Sequence, residues 1–276
     1  MLKKVAVVTG ANQGIGFAIL KGLCKHPYPG DVILTSRNEQ AGQIAVDELK
    51  KEGLTALFHR LDVTDRESIE KLRDYLVKNY GGLDVLVNNA GTSFKANAPE
   101  PFAVQAEITM NTNFFGTLQA SKILLPILKP ESRVVNISSI FSKDYMSHCS
   151  PELQAKFHSK TITEEELVSL MSSYLEAAKV GDHVAKGWPN MSYAVSKIGV
   201  TVMTQIHARQ ISAERPADNI LVNCCCPGYV RTSLTGPNAP KSPEEGAETP
   251  LFLALLPASS QGPHGEFMSE KKLVEW

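Results

Sequence analysis

The stretch KVAVVTGANQGIG, residues 4–16, decides the fold. A short apolar run ends in Thr9-Gly10, and glycines at 10, 14 and 16 lead into a segment with helical spacing over 14–25. Apolar runs of this length bounded by glycine read as buried strands, so the pattern predicts strand, turn and helix in succession. Each glycine then has its own task. Gly10 makes the turn, Gly14 lets the backbone approach a phosphate, and Gly16 permits close helix–strand packing. A dinucleotide pyrophosphate would rest on the first N–H groups of the helix, where unpaired donors and the helix dipole favour an anion. The expected cradle is Gly10, Asn12, Gln13, Gly14, Ile15 and Gly16. Its spacing, G-x-x-x-G-x-G, departs from G-x-G-x-x-G, and glycines serving packing alone are the competing reading. The strand–turn–helix setting favours the dinucleotide.

Outward from this stretch the pattern repeats. Apolar strand-like runs at 31–37, 56–63, 83–91, 132–140 and 219–228 alternate with helical segments at 38–52, 65–79, 101–129 and 192–214. Continuous apolar strands alternating with helices predict a single doubly wound Rossmann-type α/β domain over 1–276, with a mostly parallel sheet covered on both faces. One stretch, about 141–191, breaks the rhythm. Ser150 is a candidate N-cap with Pro151 at the first helical position, and Thr163 with Glu166 fits a capping box. Leu167, Leu170, Met171, Tyr174 and Leu175 form one apolar face, and Gly181 is a plausible stop. This reads as a helical insertion packed on the main body, with a partner-binding arm as the alternative.

Composition narrows the function. The 276 residues carry 28 basic and 29 acidic side chains with no long run of either sign, which argues against nucleic-acid and membrane-surface partners. No apolar stretch reaches the roughly 18 residues of a membrane span. The start, MLKKVAVVTGAN, has the charge of a signal peptide, but its apolar run is too short and no cleavage site follows, so it reads as the first strand. Five cysteines, with Cys224, Cys225 and Cys226 consecutive, make neither a disulfide framework nor a zinc spacing, which suggests reduced thiols and a cytoplasmic setting. Small core residues are the reading for all three, although Cys226 abuts the Pro227-Gly228 turn and is the exception to watch. The seven histidines show no paired-ligand pattern, and no metal is expected.

The second strand ends TSRN. An acidic residue at such a position bonds the ribose 2′-OH of NAD, whereas arginine accommodates the 2′-phosphate of NADP. Arg37 stands there and no carboxylate follows until Glu39, so NADP(H) is the expected cofactor, unless Arg37 is only a solvated strand end. Further on, SYAVSKIGV (192–200) stacks Tyr193 and Lys197 one helical turn apart. Taken alone, that spacing describes an ordinary helix surface. Taken with the cradle, it describes an acid and the cation that lowers its pKa, as a carbonyl accepting hydride would need.

These segments together, TGANQGIG at 9–16, NNAG at 88–91, Asn113 in NFFG, Ser139 in NISS and Tyr193-x-x-x-Lys197, resemble the short-chain dehydrogenase/reductase family over essentially the whole chain. The long segment before Tyr193, with SPELQ, TITEEEL and KSPEEGAETP, is similar to the monomeric vertebrate carbonyl reductases within it. The resemblance implies NADPH-dependent reduction of ketones, aldehydes and quinones, with prostaglandins or steroid 20-ketones among the candidates. It implies Tyr193 as proton donor, Lys197 on the nicotinamide ribose, Ser139 holding the substrate oxygen, and Asn113 anchoring a water that links Lys197 to solvent. Only the resemblance selects Ser139 over Ser138.

It further implies Asp62 and Val63 on the adenine side, Asn89 near the adenosine, and Val230 and Thr232 against the carboxamide; for Asp62 a cap on the next helix is the alternative. Phe141 and Tyr229 would line the substrate pocket, and Phe94, Lys95 and Gln105 match a neighbourhood that can hold glutathione or its adducts. Relatives commonly carry lysine at Gln13 and tryptophan at Tyr229. Gln13 removes a charge near the 2′-phosphate, and Tyr229 keeps an aromatic wall while adding a hydroxyl. A monomer is expected, because the insertion would cover a face that relatives use for association. The competing functions are an NAD-dependent hydroxysteroid or alcohol dehydrogenase and a non-catalytic NADP-sensing protein.

Overall fold

The computed structural model describes residues 3–26, 28–95 and 97–276. Eight strands form one sheet: β1 Lys4–Val8, β2 Gly30–Ser36, β3 Leu57–Arg60, β4 Leu83–Asn88, β5 Leu128–Ile137, β6 Leu221–Cys226, β7 Phe267–Ser269 and β8 Lys272–Leu273. Their order is β3-β2-β1-β4-β5-β6-β7-β8, parallel throughout except for the antiparallel β7–β8 pair. The order reverses between β1 and β4. In open sheets of this kind the crevice for a ligand opens at that point, outside the carboxyl ends of the strands.

The helices are α1 Gly14–Lys25, α2 Glu39–Lys51, α3 Arg66–Tyr80, α4 Phe102–Met110, α5 Thr117–Leu124, α6 Phe141–Asp144, α7 Pro151–Phe157, α8 Glu164–Val180, α9 Ser192–Glu214 and α10 Pro243–Ala254. Alternation along the strands divides the core in two. Ala6, Val8, Val32, Leu34, Val85 and Val87 pack under α1, α2 and α10. Val5, Val7, Ile33, Leu86, Val134 and Val222 face the other way, under α3, α5 and the end of α9. Successive side chains of a strand point to opposite faces, so strands covered on both sides must be apolar at nearly every position. That is why β1 reads as an unbroken run.

The predicted insertion forms a third apolar cluster. Leu167, Met171, Tyr174 and Ala177 of α8, with Leu153 and Phe157 of α7, close over Ala106 and Met110 of α4 and over Val195, Ile198, Val202 and Ile206 of α9. Ser150 caps α7, Thr163 and Glu166 form the capping box of α8, and Gly181 ends α8 in the left-handed conformation. The alternative of a free arm is therefore not what folds.

Several predicted boundaries shift. The long helix read at 101–129 is broken twice: a π turn spans Asn111–Gly116, and Pro126 stops the helix in a short 3-10 turn before β5 starts at Leu128. Leu125 before it keeps helical backbone, and the proline breaks the ladder because it lacks a donor for the next turn. The strand read at 56–63 is paired only over 57–60. Beyond residue 228 the sequence reading assigns no element, whereas α10, β7 and β8 lie there.

Candidate active site

A cleft of about 300 Å³ opens at the switch point, lined by the glycine turn, the ends of β2 and β4, the segment after β3 and the first turns of α9. Thr9 builds its floor. Its hydroxyl accepts from the N–H groups of Asn89 and Ala90, both at 2.9 Å, while Asn89 Nδ2 donates to the carbonyls of Thr9 and Gly10. Close packing explains two of the glycines. A Cβ on Gly16 would lie 2.3 Å from Asn89 Nδ2 and one on Gly10 2.9 Å from Ala90 Cα, and Gly10 has φ of 61°. Gly14 differs: a Cβ there would meet only the Thr232 side chain across the cleft.

The N-terminus of α1 is left open by the protein. Gln13 provides no side-chain cap, the first turn has no acidic residue, and the Gln13 amide reaches instead to Ser233 Oγ at 3.4 Å. Unpaired N–H groups and the positive helix end suit a dinucleotide phosphate, so the residues present fit that group. Arg37 stands exposed at the cleft edge beside Ser36, and among the described residues it enters no ion pair. Asp62 and Val63 line the same cleft. Asp62 accepts from the Thr64 N–H and hydroxyl, whereas the cap of α3 is Asp65, so the capping alternative for Asp62 does not hold.

At the other end, Tyr193 and Lys197 enter from the first turns of α9. Lys197 Nζ lies 5.6 Å from the centre of the Tyr193 ring and donates to the Ile137 carbonyl at 2.6 Å. Burial draws Lys197 down to about 8, opposed by the thiols of Cys226, Cys225 and Cys224. Tyr193 departs from the expectation of an acid lowered by its lysine. Burial pushes it up to about 12, and the neighbouring Ser139 hydroxyl pulls it back. The neighbouring serines separate clearly. Ser138 is buried against α9, bonding Thr201 Oγ1 and the Lys197 carbonyl, while the Ser139 hydroxyl, beside Tyr193, accepts from the Phe141 N–H at 3.2 Å and does not itself line the cleft.

Asn113 is fixed by its side chain. Both of its amide hydrogens are engaged, with the Thr92 carbonyl at 2.9 Å and Ser196 Oγ at 3.0 Å, and its oxygen accepts from the Thr92 N–H at 2.7 Å. The side chain thus clamps the segment after NNAG to α9, with both of its donors taken. Thr232 lines the cleft, but Val230 does not: it is buried against Gly246, and its carbonyl accepts from the Thr235 hydroxyl. Neither Phe141 nor Tyr229 lines the cleft: Phe141 packs edge-on against Tyr193, with ring centres 6.2 Å apart, and Tyr229 is exposed. Phe94, Lys95 and Gln105 do not line the cleft, and the Gln105 amide donates to the Glu100 carbonyl. Cys226 is buried and its sulfur accepts from the Gly228 N–H at 3.3 Å, which places it under the loop as the sequence suggests.

Sequence reasoning passed over Thr92, Thr112, Ile137 and Leu234, which also line the cleft. Thr92 directly follows NNAG and Thr112 precedes Asn113, so adjacency to a motif was the available signal. Among the described residues there is no cluster of three or more metal-ligating side chains, and no helix is long and apolar enough to cross a membrane.

A doubly wound sheet with a glycine cradle and an open helix start at its switch point defines a Rossmann-type dinucleotide-binding protein. The comparisons narrow this further. Residues 4–165 match the short chain dehydrogenase family, and the chain belongs to that family. It is 59% identical to carbonyl reductase (NADPH) 1 of Bos taurus over 99% of this chain and 98% of the relative, and 58% identical to that of Homo sapiens with the same coverage. Among solved structures it resembles salutaridine reductase from Papaver somniferum, with a TM-score of 0.86 and 30% identity over 96% of this chain and 99% of that one. Menthone neomenthol reductase from Mentha piperita follows with a TM-score of 0.77 and 31% identity, covering 96% and 98%.

Proposed function

We propose that this chain is an NADPH-dependent carbonyl reductase that reduces ketones, aldehydes and quinones to alcohols. One observation carries the reading: Tyr193, with Ser139 beside it, and Lys197 face a cleft that Arg37 and the open start of α1 also line, in a chain 58–59% identical end to end to NADPH carbonyl reductases.

The N–H groups opening α1 hold the pyrophosphate, and Arg37 holds the 2′-phosphate. NADPH, when bound, supplies the hydride. Ser139 Oγ holds the substrate oxygen, and Tyr193 Oη gives its proton to that oxygen as negative charge develops there. An alkoxide is a much stronger base than a phenolate, so a tyrosine held near 12 keeps its proton until that moment and then releases it. Lys197 stays largely charged at neutral pH and stabilises the phenolate left behind. Tyr193 is also the second residue of α9, whose first turn carries no acidic residue, so the positive helix end acts in the same direction. Asn113 holds Thr92 and Ser196 in place around this group.

Leu234, which lines the cleft, and Phe141, which packs against Tyr193 and Tyr145, supply apolar surface beside the site, which supports bulky apolar carbonyls such as prostaglandins or steroid 20-ketones. Glutathione is not part of the proposal, since the residues expected to hold it lie off the cleft. Five unpaired cysteines support a cytoplasmic setting. The insertion supports a monomer, because α8 already covers the apolar faces of α4 and α9; sedimentation at twice the chain mass of 30.1 kDa would refute it. Tyr193→Phe tests the reaction itself. Turnover of a quinone should fall by about a thousandfold while NADPH still binds, whereas a sensing protein would lose nothing.

A further inference from the structure

A knot of buried hydroxyls joins the two segments that carry Ser139 and Lys197. Ser138, Ser142 and Thr201 are all buried. Ser138 Oγ lies 2.7 Å from Thr201 Oγ1, and both hydroxyls face the Lys197 carbonyl, at 3.3 Å and 3.0 Å. Thr201 Oγ1 also lies within hydrogen-bond distance of Ser142 Oγ, at 3.2 Å. Ser142 takes one more bond, from the indole N–H of Trp276 at 2.8 Å, across 134 positions of chain.

An indole N–H can only donate, so it occupies one lone pair of Ser142 Oγ and fixes how the rest of that hydroxyl meets Thr201. The tryptophan is itself held. Its ring packs with Ile140 and Val274 around Cys226 and Phe267, and it lies 5.4 Å from the His158 ring of the insertion. Beside it, Lys143 Nζ donates to the Glu275 carbonyl at 2.6 Å. The segment after β8 is thereby tied twice to α6, and the N–H of Ser142 in turn donates to the Ser139 carbonyl at 3.0 Å.

We propose that Trp276 is a positioning residue for carbonyl reduction: through Ser142 and Thr201 it holds the Ser139–Phe141 turn against the first turns of α9. The role rests on the reading of Ser139, Tyr193 and Lys197 given above. Removing the indole N–H leaves the Ser142 hydroxyl with Thr201 alone and lets the turn shift relative to Tyr193. Misplacement of reacting groups by about 1 Å costs on the order of a hundredfold in rate, and partial loosening less.

The test compares the full chain with Trp276→Phe, which keeps a ring and removes the N–H, with Ser142→Ala, and with the double variant. The role requires kcat for menadione to fall about tenfold in each single variant, with the NADPH dissociation constant and thermal midpoint near those of the unaltered chain. The double variant should be no worse than either single one, because both cut the same tether. Amide exchange over residues 138–142, measured without cofactor, should quicken in Trp276→Phe. An unaltered kcat in Trp276→Phe, a loss that only tracks a lowered midpoint, or multiplicative losses in the double variant would each overturn it. If the unaltered chain reduces no carbonyl, the functional reading fails first. Unchanged exchange over 138–142 would overturn the tether independently.

Discussion

Helices α1 and α8 begin in opposite ways. At α8 the Thr163 hydroxyl accepts from the Glu166 N–H at 3.2 Å, the Glu166 carboxylate accepts from the Thr163 N–H at 2.8 Å, and Glu164, Glu165 and Glu166 fill the first turn. Glu164 then reaches beyond its own helix, to Lys122 at 2.6 Å and His207 at 3.0 Å. At α1 no side chain caps the helix and no acid stands in the first turn. Bare N–H groups at a helix start weaken a fold unless something fills them, and capping is worth about 1 kcal/mol. The insertion closes its helix start with its own side chains, while the cleft leaves one for an anionic ligand. One region is built to stay shut and the other to be completed.

The strongest way to break this contrast is at Arg37. If the open end of α1 takes a dinucleotide carrying a 2′-phosphate, Arg37→Ala should raise the KM for NADPH about 30-fold, the ~2 kcal/mol of a charge-assisted hydrogen bond. The KM for NADH should stay where it was. Equal losses with both cofactors would make Arg37 a general support of the cleft and remove the reason for NADP preference.

At the closed end, Glu164→Gln should lower stability by about 2 kcal/mol at neutral pH with cofactor affinity unchanged. Its carboxyl is held below the ordinary range, first by the hydrogen bond with His207 and then by Lys122, against the opposing effect of burial. A carboxyl whose folded pKa is depressed stabilises the fold fully above its unfolded pKa, about 4.3, and loses that contribution as pH falls through the folded value. The variant should therefore show a shallower fall in stability below about pH 4, measured by denaturant unfolding across pH. Parallel curves would show that the contact contributes nothing. The smallest effect belongs to Thr163→Ala, which should cost about 1 kcal/mol and leave NADPH turnover intact. A change in turnover would couple the insertion's helix start to the cleft and blur the contrast.

The same contrast shows what the sequence made legible. Helices α1 and α9 lie at their predicted boundaries because apolar spacing and the glycine or serine at their starts mark them locally. The caps of α7 and α8 were readable for the same reason: each is a rule among residues a few positions apart. Long-range choices were not readable. Nothing near Asn113 says that its amide will clamp Thr92 and Ser196. Nothing near Tyr193 reveals that burial will raise it, with Ser139 and not the neighbouring lysine opposing. The break at Pro126 and the capping box of Ser242 and Glu245 that starts α10 were locally visible, and the same rules would have found both. Arg133 was beyond reach. It sits buried in the central sheet with its guanidinium on the carbonyls of Leu256, Pro257 and Asn219, contacts no pattern of spacing could supply.

The most direct test is the initial rate of NADPH oxidation by the purified chain with menadione and with an aromatic aldehyde, run beside NADH under the same conditions. The account predicts turnover of both carbonyls with a clear preference for NADPH. Turnover that favours NADH, or NADPH binding with no turnover on any carbonyl of a broad panel, would contradict it.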